Sequence, residues 1–479
     1  MLTLLLILGG CTLRGTSAPV LSPTPTVGGC LHASPPAPNV RVSHDAFLAH
    51  SEPMVAVNPR NPLNLVGGSK FFTDPQHYRF QIGTYASHDG GCTWRDGGVL
   101  PGFAPSATTS DVSFAFDAHN AAYVAVLNTD LGAQSGISVA KSMDGGDTFG
   151  LPVTVFEDTK GRVFSDKPWL GIDTTGGPHD GAIYVVWSYD PEQPPCATAG
   201  GPACDQELAF ARSTDGGQTF SPVQLIEGSA PFCTYPLPGR SKDSRKCDGA
   251  LGATPAILPD GTIAVAYAYL GEQKPTRLLV VTSHDGGTTW GPPVLVATAN
   301  DSPVVFPPAN FRNTTLPAFA ADPTTGQLYI AWTEEQQQDA NIVLATSMDG
   351  GKTWSAPVRV NDDPAGRGAI HIQPQLAVAP NGVVSVAFFD ARLSLTPHLL
   401  DVFVAQSIDH GRSFLPNLRV TTQTWDTNID EPKDQQGGNG FIGDYQGLAA
   451  TNDFVYPFWN DTRTGAQEIF TAAVPSAHP

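Results

Sequence analysis

The chain contains 479 residues with a net charge of −19, and 41% of them are hydrophobic while only 15% are charged. The low charged fraction excludes a coiled coil and a disordered chain held open by charge repulsion. The acidic balance disfavours nucleic acid as a partner, because phosphate backbones would repel this protein. With 49 glycines and 43 prolines, the composition favours an all-β protein built from many short strands and turns.

The N-terminal segment predicts export. Residues 1–11 form a short apolar run that ends in small residues and Cys11, and the run resembles a bacterial lipoprotein signal whose cysteine is lipidated. Residues 12–38 are rich in Ser, Thr, Pro and Gly, as expected of a flexible tether. We therefore expect a protein of the bacterial cell envelope or the extracellular space that contacts the membrane only through a lipid anchor on Cys11.

The remaining cysteines agree with export, because disulfides persist in oxidising compartments. They are Cys30, Cys92, Cys196, Cys204, Cys233 and Cys247. Closeness along the chain favours pairing Cys196 with Cys204 and Cys233 with Cys247, which leaves the first two as a third pair. Free thiols in a reducing compartment are the alternative. No Cys/His spacing is typical of a zinc site, and we expect neither a metal nor a cofactor.

Six copies of one motif, Ser-x-Asp-Gly-Gly-x-Thr-Trp/Phe, recur along the chain at intervals of 55 to 71 residues. Their aspartates are Asp89, Asp144, Asp215, Asp285, Asp349 and Asp409. Asp-Gly-Gly predicts a tight hairpin turn, because glycine accepts positive φ without strain. The Asp, Ser and Thr side chains can hydrogen-bond the turn, so these aspartates are predicted to be structural. The closing aromatic residue can pack between neighbouring units.

Each unit begins with an apolar strand, a turn and an aromatic-rich strand. We count seven such starts, near Pro53, Val112, Pro168, Pro255, Pro317, Pro374 and Tyr445. The seventh unit lacks a fourth strand, but residues 39–43 are similar to the fourth-strand segments 357–361 and 417–421. An N-terminal strand in that place would close a ring and remove exposed sheet edges. The sequence therefore predicts a single seven-bladed β-propeller over residues 39–475, and six blades with an irregular end is the alternative.

The repeated motif is the Asp box, or bacterial neuraminidase repeat, and through it the chain resembles the sialidase superfamily of β-propellers over nearly its whole mature length. The resemblance implies a propeller fold and exo-glycosidase chemistry, with an arginine triad for the substrate carboxylate, a tyrosine nucleophile and an aspartate acid/base. Sialidases also carry a Phe/Tyr-Arg-Ile-Pro motif near the start of the propeller, which this sequence lacks; the nearest match, Phe311-Arg312-Asn313, lies much later in the chain. The box also occurs in other glycosidases, in lyases and in non-catalytic propellers, so it indicates fold more than activity.

Propeller topology narrows the search for a site to one face of the disc. If each box joins the third and fourth strands, then the second-to-third connections and the connections between blades lie on the opposite face. Propeller sites use that face, where inner strands converge on a central depression. The candidate acid/base residues there are Asp166 and Asp444, and Tyr445 is the candidate nucleophile.

Arginines on the same face are candidates for holding an anionic sugar. The predicted substrate-binding residues are Arg312, Arg392 and Arg463, together with Asp390 and Asp461 from two Asp-x-Arg sequences. Structural roles are the alternative for each candidate. They would be an ion pair between blades for each Asp-x-Arg, local pairing with Lys167 for Asp166, and inner-strand packing for Tyr445.

The function favoured by these residues is an exo-glycosidase that acts on cell-surface or extracellular glycans. A non-catalytic propeller that binds glycans or proteins at the envelope is one alternative, and a polysaccharide lyase is another. A hydrolase needs an acid and a nucleophile that face one pocket, whereas a binding module needs only aromatic faces and hydrogen-bonding groups. We expect a monomer with no nucleic-acid partner.

Overall fold

The computed structural model describes residues 29–32, 37–77, 79–104, 107–130, 134–191, 206–234, 245–270, 275–301, 303, 311–314, 316–429 and 440–478. Their regular secondary structure consists of antiparallel strands, apart from 3₁₀ helices at Gly29–His32 and Pro75–His77. None of the helices among them has the length and apolar character needed to cross a bilayer.

The strands assemble into seven antiparallel sheets that form the blades of a β-propeller. The first strand of the chain is β1 (Val40–Arg41). Blade 1 consists of β2 (Leu48–Asn58), β3 (Asn61–Asp74), β4 (Arg79–Ser87) and β5 (Arg95–Val99). Blade 2 consists of β6 (Thr108–Phe116), β7 (Ala122–Asp130), β8 (Gln134–Ser142) and β9 (Val153–Asp158).

Blades 3 to 5 repeat the same strand order. Blade 3 consists of β10 (Val163–Ile172), β11 (Ile183–Pro191), β12 (Glu207–Ser213) and β13 (Gln224–Leu225). Blade 4 consists of β14 (Ala250–Ile257), β15 (Ile263–Tyr269), β16 (Arg277–Ser283) and β17 (Val294–Thr298). Blade 5 consists of β18 (Ala318–Ala321), β19 (Leu328–Gln336), β20 (Asp339–Ser347) and β21 (Val358–Arg359).

The last two blades each carry one additional short strand. Blade 6 consists of β22 (His371–Val378), β23 (Val384–Asp390), β24 (Leu399–Ser407) and β25 (Leu418–Arg419), with β26 (Trp425–Asp426) paired to β24. Blade 7 consists of β27 (Gly447–Ala450), β28 (Phe454–Asp461), β29 (Glu468–Thr471) and β1, with β30 (Val474–Pro475) paired to β28. The predicted seven blades and all-β class are confirmed.

The hydrophobic core lies between neighbouring blades. The second strand of each blade supplies much of it, and in β15 all seven residues are buried. Because neighbouring blades pack against both faces of such a strand, neither face is polar. The strand therefore appears in the sequence as a continuous apolar run. Trp187, Trp332 and Trp459 occupy the second strands of three blades with at most 1% of their surface exposed.

All six Asp boxes form the turn between the third and fourth strands of their blades. In each box the serine hydroxyl accepts a 2.9 Å hydrogen bond from the amide of the glycine four residues later. The aspartate accepts hydrogen bonds within the same turn, and those from Thr353 lower the pKa of Asp349 to about 2. The box residue Trp94 packs on Phe458 of the preceding blade in the ring. The boxes are therefore structural, as predicted.

The N-terminal strand closes the ring. Val40 and Arg41 of β1 pair with β29, and the amide of Val42 donates a 2.7 Å hydrogen bond to the carbonyl of Ile469. Asn39 donates through its side chain to the carbonyl of Val420 in blade 6 at 2.9 Å. In blade 6, Asn417 occupies the corresponding position and donates through its side chain to the carbonyl of Val360 in blade 5 at 3.1 Å. The predicted fourth strand of blade 7 is therefore confirmed.

Two of the three predicted disulfides are present. Cys233 is bonded to Cys247, and Cys30 is bonded to Cys92 in the first Asp box. Cys30 belongs to the 3₁₀ turn Gly29–His32, so part of the segment predicted as a tether is fastened to blade 1. Cys11 lies outside the described residues, as does the predicted pair Cys196–Cys204.

Candidate functional site

We call the side of the disc that carries the boxes the Asp-box face, and the opposite side the site face. On the site face, five inner strands begin with a β-bulge that contains a residue in the left-handed region of φ. These residues are Glu52 (φ +53°), Asp111 (+49°), Lys167 (+52°), Gly252 (+64°) and Gln373 (+50°). A bulge redirects a side chain, and positive φ is costly for residues other than glycine. The strained backbone at the four non-glycine positions thus directs their polar side chains toward one region of the site face.

Charged side chains meet at that point in what we call the central charged cluster. It consists of Glu52, Lys70, Asp111, Lys167, Arg312 and Asp444. The ammonium group of Lys167 lies 2.9 Å from Asp444 and 3.4 Å from Asp111. Its side chain is only 7% exposed, so the charge is stabilised by these carboxylates and not by water. This interaction joins blades 2, 3 and 7 at the axis.

Arg312 binds the same aspartate from the connection between blades 4 and 5. Its Nε and Nη2 atoms donate to the two carboxylate oxygens of Asp444 at 3.0 and 2.6 Å, and Thr314 adds a hydrogen bond of 3.3 Å. The guanidinium plane also lies over the ring of Phe441, 5.0 Å from its centroid. Asp444 thus accepts a bidentate pair, which is the strong arrangement for a carboxylate and an arginine.

A second ion pair completes the cluster in blade 1. The ammonium group of Lys70 lies 2.7 Å from Glu52, and both side chains are buried. Burial raises the pKa of Glu52, although Lys70 opposes the shift. Lys70 also lies over the rings of Phe441 and Phe80, at 4.2 and 4.8 Å from their centroids. This pair therefore sits in an apolar setting where an unpaired charge would be strongly disfavoured.

The two candidate acid/base residues have opposite electrostatic environments. Burial raises the pKa of Asp166 to about 7, opposed by Lys167 and assisted by Asp111 and Asp444. Asp444 is also buried, yet Lys167 and Arg312 hold its pKa far below the usual range of an aspartate. Asp166 remains partly exposed to solvent, and no residue in the described part of the chain hydrogen-bonds its carboxyl group. Near neutral pH, Asp166 can therefore exchange a proton while Asp444 stays ionised.

Tyr445 lies beside these carboxylates at the start of the inner strand of blade 7. Its hydroxyl oxygen accepts a 3.2 Å hydrogen bond from the amide of Val112, and its ring meets that of Trp169 edge-to-face at 5.7 Å. Burial, with Asp111 and Glu52, raises the pKa of Tyr445 well above its usual value of 10. The phenol is therefore neutral near pH 7, and its environment does not favour the tyrosinate.

A narrow depression opens on the site face above these residues. Five blades contribute to its lining, through Lys167, Trp169, Gly252, Thr254, Leu316, Pro317, Ala318, Gln373, Pro374, Gln375, Asp444 and Tyr445. Its volume of about 20 Å³ is enough for one water molecule. A sugar would therefore lie over the depression and not inside it.

A larger cavity, of about 450 Å³, lies at the other end of the inner strands. It is lined by Ile172, Thr174, Thr175, Pro255, Ala256, Ile257, Pro259, Phe319, Ala320, Ala321 and Pro323. None of these side chains titrates, so the larger cavity offers no acid/base chemistry. We place the candidate site on the site face because the depression there is lined by titratable side chains, whereas the larger cavity is not.

The structure does not bring Arg392 or Arg463 into the central charged cluster. Arg392 pairs with Asp390 at 2.6 Å and with Asp362, at the end of blade 5, at 2.5 Å. Its guanidinium group also lies over Phe403, 4.3 Å from the ring centroid. Each donor group therefore already has a protein partner, and the arginine links neighbouring blades.

Arg463 repeats this arrangement one blade further along. It pairs with Asp461 at 2.5 Å, donates to Asn39 at 2.7 Å and lies over Phe470 at 4.7 Å. Asn39 precedes the strand that closes the ring, so this arginine helps to hold the closure. The Asp-x-Arg sequences thus adopt the arrangement that the structural alternative describes.

Sequence reasoning missed most of the central charged cluster, although a signal for it was present. Glu52, Asp111, Lys167 and Gln373 each stand immediately before one of the seven predicted strand starts, and Asp444 stands before the seventh. A polar residue thus precedes the apolar inner strand in each of these blades, but its type differs from blade to blade. Lys70 had no such signal, because it lies within the second strand of blade 1.

The described residues offer no group of three or more His, Cys, Asp or Glu side chains that could hold a metal ion. The carboxylates of the central charged cluster face ammonium and guanidinium groups, which occupy the positions that a cation would take. The chemistry available to these residues is proton transfer and hydrogen bonding.

Comparisons with known proteins support the fold. No protein-family model and no curated protein sequence matches the chain. Among solved structures, a polysaccharide lyase of family PL25, an ulvan lyase, has a TM-score of 0.52 at 11% identity, with 91% of this chain and 96% of that chain covered. The endosialidase of phage phi92 has a TM-score of 0.50 at 10% identity, with 92% and 69% covered. These similarities show the fold alone: this chain is a β-propeller similar in fold to the ulvan lyase and the phage endosialidase.

Proposed function

We propose that the protein hydrolyses glycosidic bonds at the centre of its site face, with Asp166 as the proton donor. The observation that carries this proposal is the convergence of polar bulge residues from several blades around a partly exposed carboxyl group. Both similar structures named above act on glycans according to their names, which supports a glycan as the substrate but not hydrolysis in particular, because one of the two is a lyase. An exo-glycosidase acting on cell-surface or extracellular glycans is the specific form we propose.

The proposed reaction uses Asp166 as the acid and a water molecule as the nucleophile. The protonated carboxyl group donates its proton to the glycosidic oxygen as the bond to the anomeric carbon breaks. Water adds its hydroxide to that carbon, and its remaining proton restores Asp166. The raised pKa of Asp166 keeps a useful fraction protonated near pH 7. The depression beside Asp444 and Tyr445 has room for the attacking water.

The other predicted residues take supporting roles in this proposal. Asp444 stays ionised and positions Lys167 and Arg312, because both cations bind its carboxylate. Tyr445, predicted as the nucleophile, forms part of the wall of the site, since its environment favours the neutral phenol. We assign Arg392 and Arg463 to blade packing because their donors are engaged.

Turnover of fluorogenic glycosides by the purified protein tests the proposal. Asp166→Asn should lower kcat by about 10²- to 10⁴-fold, the usual contribution of a general acid. The rate of the wild-type protein should fall as pH rises through about 7, because the acid form of Asp166 is lost. Asp180→Asn is the matched control, since Asp180 is exposed in the turn of the same blade on the Asp-box face. Equal rates for the two variants would refute the role of Asp166.

Glycan binding without catalysis is the second candidate. It is favoured by the engaged state of Asp444 and Tyr445, which leaves few groups free to react. Binding of a glycan with no turnover on any glycoside would support this candidate over the first.

We also propose that the protein is exported and anchored through a lipid on Cys11. The disulfides Cys30–Cys92 and Cys233–Cys247 agree with an oxidising compartment. Mass spectrometry of the N-terminal peptide from cells tests this, and an unmodified Cys11 in the mature protein would refute it.

A further inference from the structure

The arginines that the sequence suggested for an anionic sugar are all occupied by the protein's own carboxylates. Arg312 offers two donors in a fork, and Asp444 fills that fork with both oxygens. A substrate carboxylate that bound in this Nε–Nη2 fork would have to take the place of Asp444. The displaced group is 3% exposed, and a buried carboxylate that loses its partners is strongly destabilising.

The net charge of the site also disfavours an anionic sugar. Three cations, Lys70, Lys167 and Arg312, stand against the four carboxyl groups of Glu52, Asp111, Asp166 and Asp444. The sum is negative when Asp166 is ionised and zero when it is protonated. A site with this balance does not attract an anion, and the charge of the whole chain, −19, adds repulsion at longer range.

The groups left for a ligand suit hydroxyls. Gln373 and Gln375 line the depression, but their amide NH₂ groups already donate to backbone carbonyls of the protein. The side-chain oxygen of Gln373 has no hydrogen-bond partner among the described residues, and Trp169 contributes a partly exposed aromatic ring. Amide groups and carboxylate edges exchange hydrogen bonds with sugar hydroxyls, while an indole ring packs on their C–H faces. We infer that the sugar bound at this site is uncharged, without carboxylate, sulfate or phosphate. This inference rests on the proposed function and names its substrate class.

The first test compares neutral and anionic ligands with the wild-type protein. Arabinofuranosides and galactosides serve as neutral fluorogenic probes, and a sialoside and a glucuronide serve as anionic probes. We expect kcat/KM for at least one neutral probe to exceed that of both anionic probes by about 100-fold or more. Faster turnover of an anionic probe would overturn the inference but leave the hydrolase proposal standing.

Binding separates the two proposals if no probe is turned over. Neutral galactan oligosaccharides should then bind more tightly than oligogalacturonate, with an affinity that changes less than about twofold between low and high salt, because no ion pair forms. That result would refute hydrolysis and support the uncharged ligand. Tighter binding of oligogalacturonate, or binding of neither oligosaccharide, would overturn the inference.

A variant that frees the guanidinium fork gives a positive signal. Asp444→Asn removes the charge that neutralises Arg312 and Lys167, so affinity for oligogalacturonate should rise by about tenfold or more. Asp461→Asn is the matched control, because it frees Arg463 outside the central charged cluster and should produce no such gain. No gain in either variant, with both folded by circular dichroism, would show that Asp444 does not exclude the anion. If Asp444→Asn fails to fold, the salt dependence of the wild-type protein decides the question.

Discussion

The two faces of the propeller use aspartate in opposite ways. On the Asp-box face, each box aspartate accepts hydrogen bonds from residues within four positions of it, and the same arrangement occurs six times. On the site face, Asp444 binds residues 277 and 132 positions away in the chain, and its arrangement occurs once. The box aspartates hold a local turn, whereas Asp444 joins distant blades.

This difference separates what the repeat determines from what it leaves open. The bulges of five inner strands share a backbone shape, but their residues range from glutamate to lysine. Repetition of the backbone provides the scaffold, and variation at one position of each blade provides the chemistry. Strained non-glycine residues at such a position cost about 1–2 kcal/mol each. We therefore expect substitutions in the central charged cluster to behave differently from those in the boxes.

Lys167→Met should have the largest effect on stability. The substitution leaves Asp111 and Asp444 without the ammonium group that lies between them, and loss of one partner from a buried ion pair costs about 3–5 kcal/mol. Urea denaturation measures the change in the free energy of unfolding. Lys141→Met is the control from the Asp-box side, where the ammonium group lies 5.0 Å from the ring centroid of Tyr123 and should contribute less than about 1 kcal/mol. Similar losses in both variants would remove the distinction between the faces.

Asp166→Asn should instead increase the stability of the folded protein at pH 8. The folded protein keeps the Asp166 proton up to about pH 7, whereas the unfolded chain releases it near the ordinary pKa of 3.8. The folded state thus binds more protons between these values, and its stability falls as pH rises through that window. Asparagine has no proton to lose, so the variant should be more stable than the wild type at pH 8, by about 2 kcal/mol after allowance for partial exposure.

The same comparison at low pH checks the cause. Well below pH 3.8, Asp166 is protonated in both the folded and the unfolded protein, so the variant and the wild type should unfold at the same denaturant concentration. A variant that is less stable than the wild type at pH 8 would show that the Asp166 carboxylate stabilises the fold. Greater stability combined with lost turnover is the behaviour expected of a residue kept for function.

The fold could be predicted from the sequence because its signals are local and repeated. Six boxes fix the hairpins, and the similarity of residues 39–43 to two other segments predicts the ring closure that β1 forms. The pairing of Cys30 with Cys92 also followed from elimination among few cysteines. The boxes and the ring closure needed only copies of one pattern, and the disulfide needed only that the other cysteines lie close to one another in the chain.

The site was less accessible to the same reasoning. Asp166, Asp444 and Tyr445 were found because they flank inner strands. The structure places Asp444 and Tyr445 in the lining of the depression, whereas Asp166 is outside that lining and interacts with Lys167 and Asp444 through charge. Arg392 and Arg463 also lie in loops of the site face, but sequence could not show that Asp390 and Asp461 occupy them. Which cation reaches which carboxylate depends on the angle between blades, and no local pattern encodes that angle.

The smallest effect concerns the degraded box of blade 6. His410 has φ +61° there, whereas the other five boxes have glycine at this position with φ between +66° and +78°. His410→Gly should remove about 1 kcal/mol of backbone strain, partly offset by the greater freedom of glycine in the unfolded chain, for a net gain near 0.5 kcal/mol. The reverse change, Gly350→His, should lose a similar amount, because a Cβ there meets no atom closer than 3.9 Å and only the backbone is strained. Thermal melts of both variants measure the two changes in stability. If both variants were stabilised or both destabilised, side-chain contacts, and not φ, would decide stability on this face.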